Sequence, residues 1–490
     1  MSLTAARLLH GLCAAAPEVI VTGVAMDSRR VAVGDLFLAC RGSGQQHGLQ
    51  HVQQALQRGA AAVAWEPAPG IAAPSLDVPD IPVPGLAALA GEIAARFHGR
   101  PGDALRLYAV TGTDGKTSTA HLLAQTLDRL GQPCAYIGTL GAGRLGALVP
   151  ATHTTPDPVS LQAQLAEQLE RGVRCVAMEV SSHALDQRRV SGLRFDAAIL
   201  SNLTRDHLDY HGTLEHYTAA KRRLFAEHVR GVRIFNRDDA TGRDWAQTWP
   251  EAVIYGLDGE APADRPYVLG RALSLHDAGL SLDLETSWGT AQLHSRLLGR
   301  FNAYNLMAAL AALLANGLPL PDVVQALAQV QTVPGRMEGY RGPGAPALVV
   351  VDYAHTPDAL RQVLAAARAH CAGALWCVFG CGGDRDRGKR PLMGAAVARL
   401  ADHGIVTDDN PRSEDPAAIV AEILRDAGGR LQVIHDREQA IRTAVRSAGP
   451  GDVVVIAGKG HETTQTCGSR VLPFSDRALA ARLTGSEVRA

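Results

Sequence analysis

The last third of the chain alternates short apolar runs with stretches of helical length. The apolar runs lie at 347–352, 374–380, 404–407, 431–434 and 452–457. Apolar runs of this length, separated by segments long enough for a helix, are typical of parallel strands in a sheet that is covered on both faces. The pattern therefore predicts an α/β fold with a doubly wound parallel sheet, whose ligands bind at the carboxyl ends of the strands.

Polar clusters follow the ends of four predicted strands. They occupy residues 352–355, 382–387, 408–412 and 458–462. One such cluster could be a solvated loop. Four at successive strand ends favour a binding site, because the carboxyl ends of parallel strands lie along one edge of a sheet.

In the middle of the chain, an apolar run at 105–110 precedes a glycine-rich turn and a segment with helical periodicity. The turn and the helix start contain Gly112, Gly115, Lys116, Thr117 and Ser118, and apolar residues recur at Ala120, Leu123, Leu127 and Leu130. Backbone N–H groups at a helix start, the helix dipole and a lysine bind phosphate, and a threonine hydroxyl can hold Mg²⁺. The two glycines are closer together than in the usual P-loop. The strand and helix around them favour a phosphate site over a glycine turn with a solvated lysine.

Two more apolar runs, at 173–178 and 197–200, end in polar residues. Glu179 follows the first run directly, and His207 lies in the polar segment after the second. A carboxylate and an imidazole at neighbouring strand ends, beside a phosphate loop, can bind a metal ion that bridges phosphates. An isolated histidine is more often structural, but the two aspartates near His207 favour a metal ligand.

The remaining pattern completes a division of the chain into three parts. We expect strands at 35–39 and 61–65, irregular chain in the proline-rich passage 67–84, a helix over 86–97, a linker at 99–102, an irregular or antiparallel region at 255–299 and a helix over 305–315. Lys221 falls in a helical segment, where a lysine is ordinarily a surface residue.

Composition narrows the class of protein. A chain of 490 residues is too long for one core and suggests about three domains. The net charge of −1 gives no general attraction to nucleic acid or to anionic membranes. No apolar run is long enough to cross a bilayer, and the N-terminus lacks a signal pattern. The eight cysteines are scattered without a CxxC pair, and Cys134, Cys175 and Cys377 lie in apolar runs as expected of core residues. These features indicate a reduced, cytoplasmic protein.

Several motifs, in order along essentially the whole chain, resemble those of the Mur ligase family, ATP-dependent amino-acid ligases of peptidoglycan synthesis. They are Thr111-Gly112-Thr113-Asp114-Gly115-Lys116-Thr117, Glu179-Val180-Ser181-Ser182-His183, Asn202-Leu203-Thr204-Arg205-Asp206-His207-Leu208-Asp209-Tyr210-His211, Gly299-Arg300-Phe301-Asn302 and Asp352-Tyr353-Ala354-His355-Thr356-Pro357. The segment Asp409-Asn410-Pro411-Arg412 further resembles the motif of the member that adds meso-diaminopimelate. The sequence departs from the family at Asp114, where asparagine is usual.

The resemblance implies three domains and a reaction. The domains are an N-terminal UDP-substrate-binding domain at 1–99, a central P-loop ATPase domain at 100–335 and a C-terminal Rossmann-like, amino-acid-binding domain at 336–490. ATP would phosphorylate the D-glutamate carboxylate of a UDP-muramoyl dipeptide, and the amine of the incoming amino acid would displace phosphate. The resemblance also implies that the protein uses ATP and Mg²⁺ and binds small-molecule substrates. We further expect a monomer, and the composition predicts neither a nucleic-acid partner nor membrane insertion.

The resemblance also assigns residues. The ATP-binding positions are Gly112, Thr113, Asp114, Gly115, Lys116, Thr117, Ser118, Asn302, Arg336, Asp352 and His355. The metal positions are Thr117, Glu179, His207 and Lys221; Lys221 is implied to be carbamylated (N6-carboxylysine), and Lys116, Glu179, His207 and Lys221 are the implied catalytic set. The UDP-substrate positions are Met26, Ser28, His153, Thr154, Thr155, Ser181, Gln187 and Arg189. The diaminopimelate positions are Arg385, Asp409, Asn410, Pro411, Arg412, Gly458 and Glu462.

Two other readings of the sequence compete with this one. A folylpolyglutamate synthetase shares the ATP chemistry but lacks the UDP domain, and the Asp27-Ser28-Arg29 segment and the chain length argue against it. A P-loop NTPase that serves as a switch or motor would need no pocket of mixed charge on a third domain. Dependence of ATP turnover on both a UDP-muramoyl peptide and an amino acid distinguishes the three.

Overall fold

The computed structural model describes residues 2–42 and 46–486. Contacts among these residues group them into two compact units. One unit comprises the described residues up to 255 with 262–267 and 311–318, and the other comprises 256–261, 268–310 and the described residues from 319 onward.

The first unit begins with a small sheet in which four parallel strands pair in the order β3-β4-β5-β6. Its elements are β1 (Leu3–Thr4), α1 (Ala5–Leu8), β2 (Ile20–Val21), β3 (Gly23–Ala25), β4 (Asp35–Ala39), α2 (Val52–Gln57), β5 (Ala62–Trp65), β6 (Asp80–Pro82) and α3 (Leu86–Phe97). The expected strands and the helix over 86–97 are confirmed. The prediction of irregular chain throughout 67–84 is wrong at β6, which is an edge strand, where a proline without an N–H donor is tolerated.

A larger sheet follows in the same unit, with the order β13-β12-β11-β7-β10-β8-β9. Its elements are α4 (Pro101–Ala104), β7 (Arg106–Thr111), α5 (Lys116–Arg129), β8 (Cys134–Gly138), β9 (Gly141–Arg144), α6 (Pro158–Glu170), β10 (Cys175–Glu179), α7 (Ser182–Asp186), β11 (Phe195–Leu200), α8 (Leu208–His211), α9 (Leu214–Glu227), β12 (Val229–Asn236), α10 (Ala240–Thr248) and β13 (Val253–Leu257). The linker expected at 99–102 is partly wrong, because α4 begins at Pro101, a residue suited to the first turn of a helix.

The order of this sheet positions the candidate site. β7 lies between β10 and β11 and is parallel to both, with Glu179 opposite Val110 and Leu200 opposite Thr111. The loops that follow all three strands therefore leave the same edge of the sheet.

The second unit contains an antiparallel meander and a six-stranded sheet. Its elements are β14 (Tyr267–His276), β15 (Gly279–Thr286), β16 (Gly289–Ser295), α11 (Arg300–Ala315), α12 (Leu320–Leu327), β17 (Glu338–Gly342), β18 (Ala345–Asp352), α13 (Pro357–Arg368), β19 (Leu375–Phe379), α14 (Lys389–Leu400), β20 (His403–Val406), α15 (Pro416–Leu424), β21 (Leu431–Val433), α16 (Arg437–Ser447), β22 (Val453–Ala457), β23 (Thr464–Cys467), β24 (Arg470–Pro473) and α17 (Asp476–Thr484). β14 to β16 pair antiparallel. Of the two alternatives predicted for 255–299, irregular or antiparallel, the antiparallel one is confirmed for these strands. α11 begins five residues before the predicted helix, and its last residues group with the first unit.

The doubly wound sheet is confirmed. Its strands pair in the order β17-β18-β22-β19-β20-β21, and all pairs are parallel except the one that includes β17. Alternate residues of β18 face two different cores, with Leu348 and Val350 in one and Val349 and Val351 in the other. The hairpin of β23 and β24 was not predicted, because its short strands are mostly exposed and lack an apolar run.

Two expectations from composition can be compared with the structure. All eight cysteines are unpaired thiols, and Cys134, Cys175 and Cys377 are buried as predicted. Within residues 2–42 and 46–486, none of the helices has the length and apolarity needed to span a bilayer.

Candidate active site

The phosphate loop joins β7 to α5 in the first unit. Its backbone is held by the neighbouring loop after β11: Thr113 N donates to Asn202 O at 2.9 Å and Asp114 N to Asn202 Oδ1 at 2.9 Å. Gly112 has a φ of 145°, and a Cβ there would lie 2.0 Å from Ser201 Oγ, so only glycine fits. The Asp114 side chain is exposed, so its carboxylate remains solvated at the position where the motif resemblance predicts asparagine.

Lys116 is the first residue of α5 and folds back over the loop. Its Nζ donates to Gly112 O at 2.9 Å and to Thr113 O at 2.7 Å. Burial lowers the pKa of its ammonium, and the nearby carboxylates of Glu179 and Asp114 oppose that shift. The cation therefore lies at the helix start, where the sequence predicts phosphate binding. Ser118 is half-buried in the same first turn of α5.

Glu179, at the end of β10, is the most connected carboxylate of the site and is 1% exposed. Thr117 Oγ1 donates to its Oε2 at 2.8 Å, and Thr139 N donates to its Oε1 at 2.8 Å. Tyr136 donates a short hydrogen bond to the same Oε1, and both burial and this contact raise the pKa of the Tyr136 hydroxyl. The predicted pair of Thr117 and Glu179 is thus in contact.

Lys221 is 1% exposed, so the helix-based expectation of a surface lysine is wrong. Its face of α9 packs against the phosphate loop: Nζ donates to Gly112 O at 2.8 Å and lies 4.7 Å from the ring centroid of Tyr217. Burial and the nearby Lys116 ammonium lower the pKa of Lys221 well below its ordinary value. A buried lysine whose neutral form is favoured is chemically suited to covalent modification.

His207 lies at the mouth of this region on the loop after β11. It has a φ of 50°, and its Nε2 is 3.3 Å from Asp206 Oδ2. Its ring centroid is 4.8 Å from that of His183 in α7, the short helix that follows β10 and Glu179. Because β11 is parallel to β7 and adjacent to it, the loop after β11 brings His207 to the same edge of the sheet as the phosphate loop.

The donors suit a magnesium ion held partly by substrate. Among the residues that the structure describes, no three His, Cys, Asp or Glu side chains converge closely enough to hold a metal by themselves. Mg²⁺ is usually bound by one or two carboxylates together with phosphate and water oxygens. The Thr117 hydroxyl and the Glu179 carboxylate, 2.8 Å apart beside the phosphate loop, fit that mode.

The predicted UDP-substrate residues all lie in the first unit. Ser28 is buried and its hydroxyl donates to Gln54 Oε1 at 2.7 Å, while Met26 is half-buried just before it. His153 is exposed, and Thr154 Oγ1 is 3.1 Å from Thr139 Oγ1.

Four other members of that set form a connected group around Glu179. Thr155 Oγ1 donates to the Glu179 carbonyl at 2.8 Å, and Ser181 N donates to Thr155 Oγ1 at 3.2 Å. Arg189 donates to Thr155 O at 2.9 Å and to Gln187 Oε1 at 2.6 Å.

The second unit contains the other predicted nucleotide residues. Asn302 is buried and donates to Leu298 O at 2.8 Å, and both oxygens of Asp352 accept backbone N–H groups, from Met337 and Ala354, at 2.7 Å. Arg336 and His355 are exposed. Asn302 and Asp352 thus order the backbone. The exposed side chains of Arg336 and His355 both contact Tyr353, whose ring centroid lies 5.2 Å from the Arg336 guanidinium.

The predicted amino-acid pocket also lies in the second unit, at the ends of β19, β20 and β22. Asn410 Nδ2 donates to Glu462 Oε2 at 2.9 Å, and a Cβ on Gly458 would lie 2.5 Å from Asp409 Oδ2. Although burial opposes it, hydrogen bonds from Asn410 and Lys459 hold the pKa of Glu462 below its usual value. These four predicted residues are therefore brought together.

The basic residues of the pocket are less enclosed. Arg412 Nη1 donates to Gly383 O at 2.7 Å, and the Arg412 backbone N–H donates to Thr466 O at 3.1 Å. Arg385 is exposed, and Pro411 is buried beside Arg412. Sequence reasoning missed three contributors: the hairpin of β23 and β24, the Lys459 ammonium, and the contacts of Tyr136 and Thr139 with Glu179. The sequence offered a signal only for Lys459, which stands between two glycines directly after an apolar run.

Comparisons with known proteins agree with this architecture. The Mur ligase middle domain matches residues 110–313, the glutamate ligase domain of Mur ligases matches 335–460, and the catalytic domain of the Mur ligase family matches 20–98.

Two relatives are similar along nearly their whole length. A UDP-N-acetylmuramoyl-L-alanyl-D-glutamate–2,6-diaminopimelate ligase of Alkalilimnicola ehrlichii is 52% identical over 480 residues, 95% of each chain. A ligase of the same name from Pseudomonas aeruginosa is 49% identical over 473 residues, which cover 95% of this chain and 96% of that one.

A solved structure of a ligase of this name has a TM-score of 0.79 and 38% sequence identity, with 99% of both chains covered. The family resemblance and the three-domain α/β fold are thereby confirmed. The chain belongs to the Mur ligase family.

Proposed function

We propose that this protein is the ATP-dependent ligase that joins meso-diaminopimelate to the D-glutamate of UDP-N-acetylmuramoyl-L-alanyl-D-glutamate in peptidoglycan synthesis. The observation that carries this conclusion is its full-length similarity to ligases of that name. The phosphate loop and the pocket of mixed charge supply the two kinds of site that the reaction needs.

The chemistry explains why both sites are required. A carboxylate is a poor electrophile until one oxygen is phosphorylated. Transfer of the γ-phosphoryl group of ATP to the D-glutamate carboxylate yields ADP and an acyl phosphate. The amine of diaminopimelate attacks the acyl carbon, the amide bond forms, phosphate leaves with the oxygen, and the amine loses a proton. Phosphoryl transfer between two anions depends on cations that stabilise the spreading charge.

The phosphate loop supplies that stabilisation in our proposal. Its N–H groups and Lys116 would bind the phosphates of ATP, and Thr117 with Glu179 would hold Mg²⁺. His207 and a carbamylated Lys221 would hold a second ion. When bound, Mg²⁺ neutralises charge on the phosphate oxygens. Thr113 and Asp114 contribute mainly loop backbone around the phosphates of ATP, and Ser118 lies in the first turn of α5 beside them.

The UDP-dipeptide is held by the remaining residues of the first unit. We assign the uridine end to Met26 and Ser28, and the dipeptide end to His153, Thr154, Thr155, Ser181, Gln187 and Arg189. Contact of Thr155 with the Glu179 carbonyl supports this assignment, because Thr155 lies next to the residue proposed to hold Mg²⁺ at the phosphate site.

Nucleotide residues of the second unit divide into two roles in this proposal. Arg336 and His355 offer exposed side chains to the nucleotide. Asn302 and Asp352 act through the backbone they order, since internal hydrogen bonds occupy both carboxylate oxygens of Asp352 and the amide of Asn302 contacts Leu298 O.

The acceptor amino acid carries two carboxylates and two ammonium groups, which the pocket complements. Arg412 and Arg385 would take carboxylates, and Glu462 and Asp409 would take ammonium. Gly458, Asn410 and Pro411 shape the pocket. Arg412 suits its role because only one of its guanidinium nitrogens has a described partner, Gly383 O.

Replacing Arg412 with alanine is expected to lower kcat/KM for meso-diaminopimelate strongly and to leave ATP and UDP-dipeptide binding nearly unchanged. Lysine lacks the second carboxylate, at the far end of the side chain. The kcat/KM of wild type for lysine should therefore be at least about a hundredfold lower than for meso-diaminopimelate, because the Arg412 guanidinium stays unpaired. In Arg412→Ala the ratio of the two kcat/KM values should become smaller, because kcat/KM for meso-diaminopimelate falls more than kcat/KM for lysine changes. The measurement is kcat/KM for both amino acids, with Arg425→Ala, an exposed arginine of the same unit, as control. Equal use of lysine by wild type, or an unchanged ratio in Arg412→Ala, contradicts the role of Arg412.

We also propose domain boundaries and a cellular setting. The proposed domains are 1–99, 100–335 and 336–490, which the ranges matched by the three family domains support. The proposed compartment is the cytoplasm, where ATP and nucleotide-linked precursors are found. The proposed oligomeric state is a monomer.

Omitting one substrate at a time tests the proposed function. ADP release should require the UDP-dipeptide and meso-diaminopimelate together. Release that depends on a folate and glutamate would instead support a folylpolyglutamate synthetase, and release with ATP alone would support an NTPase switch or motor.

A further inference from the structure

Lys459 is an unexpected residue at the amino-acid pocket. The chain has only four lysines among its 48 basic residues. Lys459 follows β22 between two glycines, and its side chain is 0% exposed. A fully buried ammonium in a chain whose basic residues are mostly arginine indicates a place that needs a compact point charge rather than a planar guanidinium.

The ammonium of Lys459 fixes the orientation of Asn410. Lys459 Nζ lies 3.1 Å from Asn410 Oδ1, and Thr466 N donates to the same oxygen at 2.9 Å. Asn410 Nδ2 donates to Glu462 Oε2 at 2.9 Å. The opposite orientation of the amide would direct its NH₂ group at two donors, so the network allows only this one.

The same ammonium fixes Glu462. Lys459 Nζ is 3.0 Å from Glu462 Oε2, which therefore accepts from both Lys459 and Asn410. Among the described residues, no donor is directed at Glu462 Oε1, and this side chain is 33% exposed. Hydrogen bonds thus hold Oε2 of Glu462 in place, while Oε1 remains available to a ligand.

We propose that Lys459 is a positioning residue for the acceptor amino acid: it anchors Asn410 and one oxygen of Glu462, so that the other oxygen receives an ammonium group of the acceptor. This rests on the proposed function, because it takes the pocket as the diaminopimelate site. Lys459 itself does not touch the acceptor in this account.

The test is steady-state kinetics of Lys459→Met with each substrate varied in turn. The KM for meso-diaminopimelate should rise at least about tenfold, because a charge-assisted hydrogen bond to Glu462 is lost. The kcat at saturating acceptor, and the KM for ATP and for the UDP-dipeptide, should change less than about threefold. Arg368→Met, which removes an ion pair with Asp402 elsewhere in the same unit, is the control and should leave all three KM values unchanged.

A double-mutant cycle separates positioning from general stability. If Lys459 acts through Glu462, adding Lys459→Met to Glu462→Gln should raise the acceptor KM by less than about threefold beyond Glu462→Gln alone. Full additivity, an unchanged acceptor KM in Lys459→Met, or an equal rise in all three KM values contradicts the proposal.

Two further outcomes have defined meanings. If Lys459→Met does not fold, Lys459→Gln, which keeps a donor without the charge, is compared in the same way; failure of both to fold contradicts a positioning role and assigns Lys459 to stability. A wild type without diaminopimelate-dependent turnover contradicts the proposed function itself, whereas an active wild type with an unaffected Lys459→Met contradicts only the role of Lys459.

Discussion

Replacing Lys116 with alanine is expected to lower ATP-dependent ligation at least about a thousandfold, because removing a preorganised cation from a phosphoryl-transfer site costs several kcal/mol of transition-state stabilisation. The fold should survive. Gly112 O, one of the two carbonyls that Lys116 contacts, also accepts from Lys221 Nζ at 2.8 Å. The measurements are ADP release under saturating substrates and thermal unfolding of the same preparation.

Asp114→Asn is the matched control in the same loop. The Asp114 side chain is exposed, and the loop is held through its backbone N–H and carbonyl. Surface substitutions usually change stability by only a few tenths of a kcal/mol, so this variant should retain activity within about threefold. Near-normal turnover of a folded Lys116→Ala protein would contradict the assignment of the phosphate loop.

Much of the fold could be predicted from the sequence because its signals are local. The apolar runs of β18 to β22 and the helical period of α5 follow from which side chains each element buries. The elements that were missed have weak local signals. β6 lies in a proline-rich passage, and the hairpin of β23 and β24 is stabilised by contacts with the segment around Arg412 that are distant in sequence.

The candidate site divides in the same way. Residues at strand ends, such as Glu179 and Asp409, could be proposed from the sequence because parallel topology brings strand ends together. The burial of Lys221 could not, because it depends on how α9 packs against a loop about a hundred residues away. The contact between Tyr136 and Glu179 is equally hidden, since a tyrosine within an apolar strand reads as a core residue.

Replacing Lys221 with arginine is expected to abolish turnover, with a loss on the order of a thousandfold. In our account the neutral Lys221 amine adds CO₂, loses a proton and becomes a carbamate, which presents a carboxylate where the unmodified side chain presents a cation. Burial lowers the pKa of Lys221, which keeps the amine neutral and reactive at a lower pH than an exposed lysine. Arginine cannot form this carbamate and leaves a permanent cation beside the proposed metal site. The measurements are turnover and the mass of the intact protein under native conditions.

Activity should also depend on CO₂ in a direction fixed by the chemistry. Forming the carbamate releases a proton, so lowering the pH in CO₂-depleted buffer should reverse it and reduce turnover, and added bicarbonate should restore turnover. The control is Arg222→Lys, which places a lysine at an exposed neighbouring position. This variant should stay active and should add no bicarbonate dependence beyond that of wild type. Full activity of Lys221→Arg would contradict the proposed carbamylation of Lys221. A response of Lys221→Arg to bicarbonate equal to that of wild type would contradict it as well.

Mass analysis of the nucleotide product is the most direct test of the central claim. The purified protein is incubated with ATP, Mg²⁺, UDP-N-acetylmuramoyl-L-alanyl-D-glutamate and an equimolar mixture of meso-diaminopimelate, lysine and glutamate. We predict that the UDP-dipeptide gains the mass of one diaminopimelate less one water, with one ADP formed per product. A UDP-dipeptide that stays unchanged while ATP is consumed, or that is extended mainly by lysine or glutamate, would contradict the account.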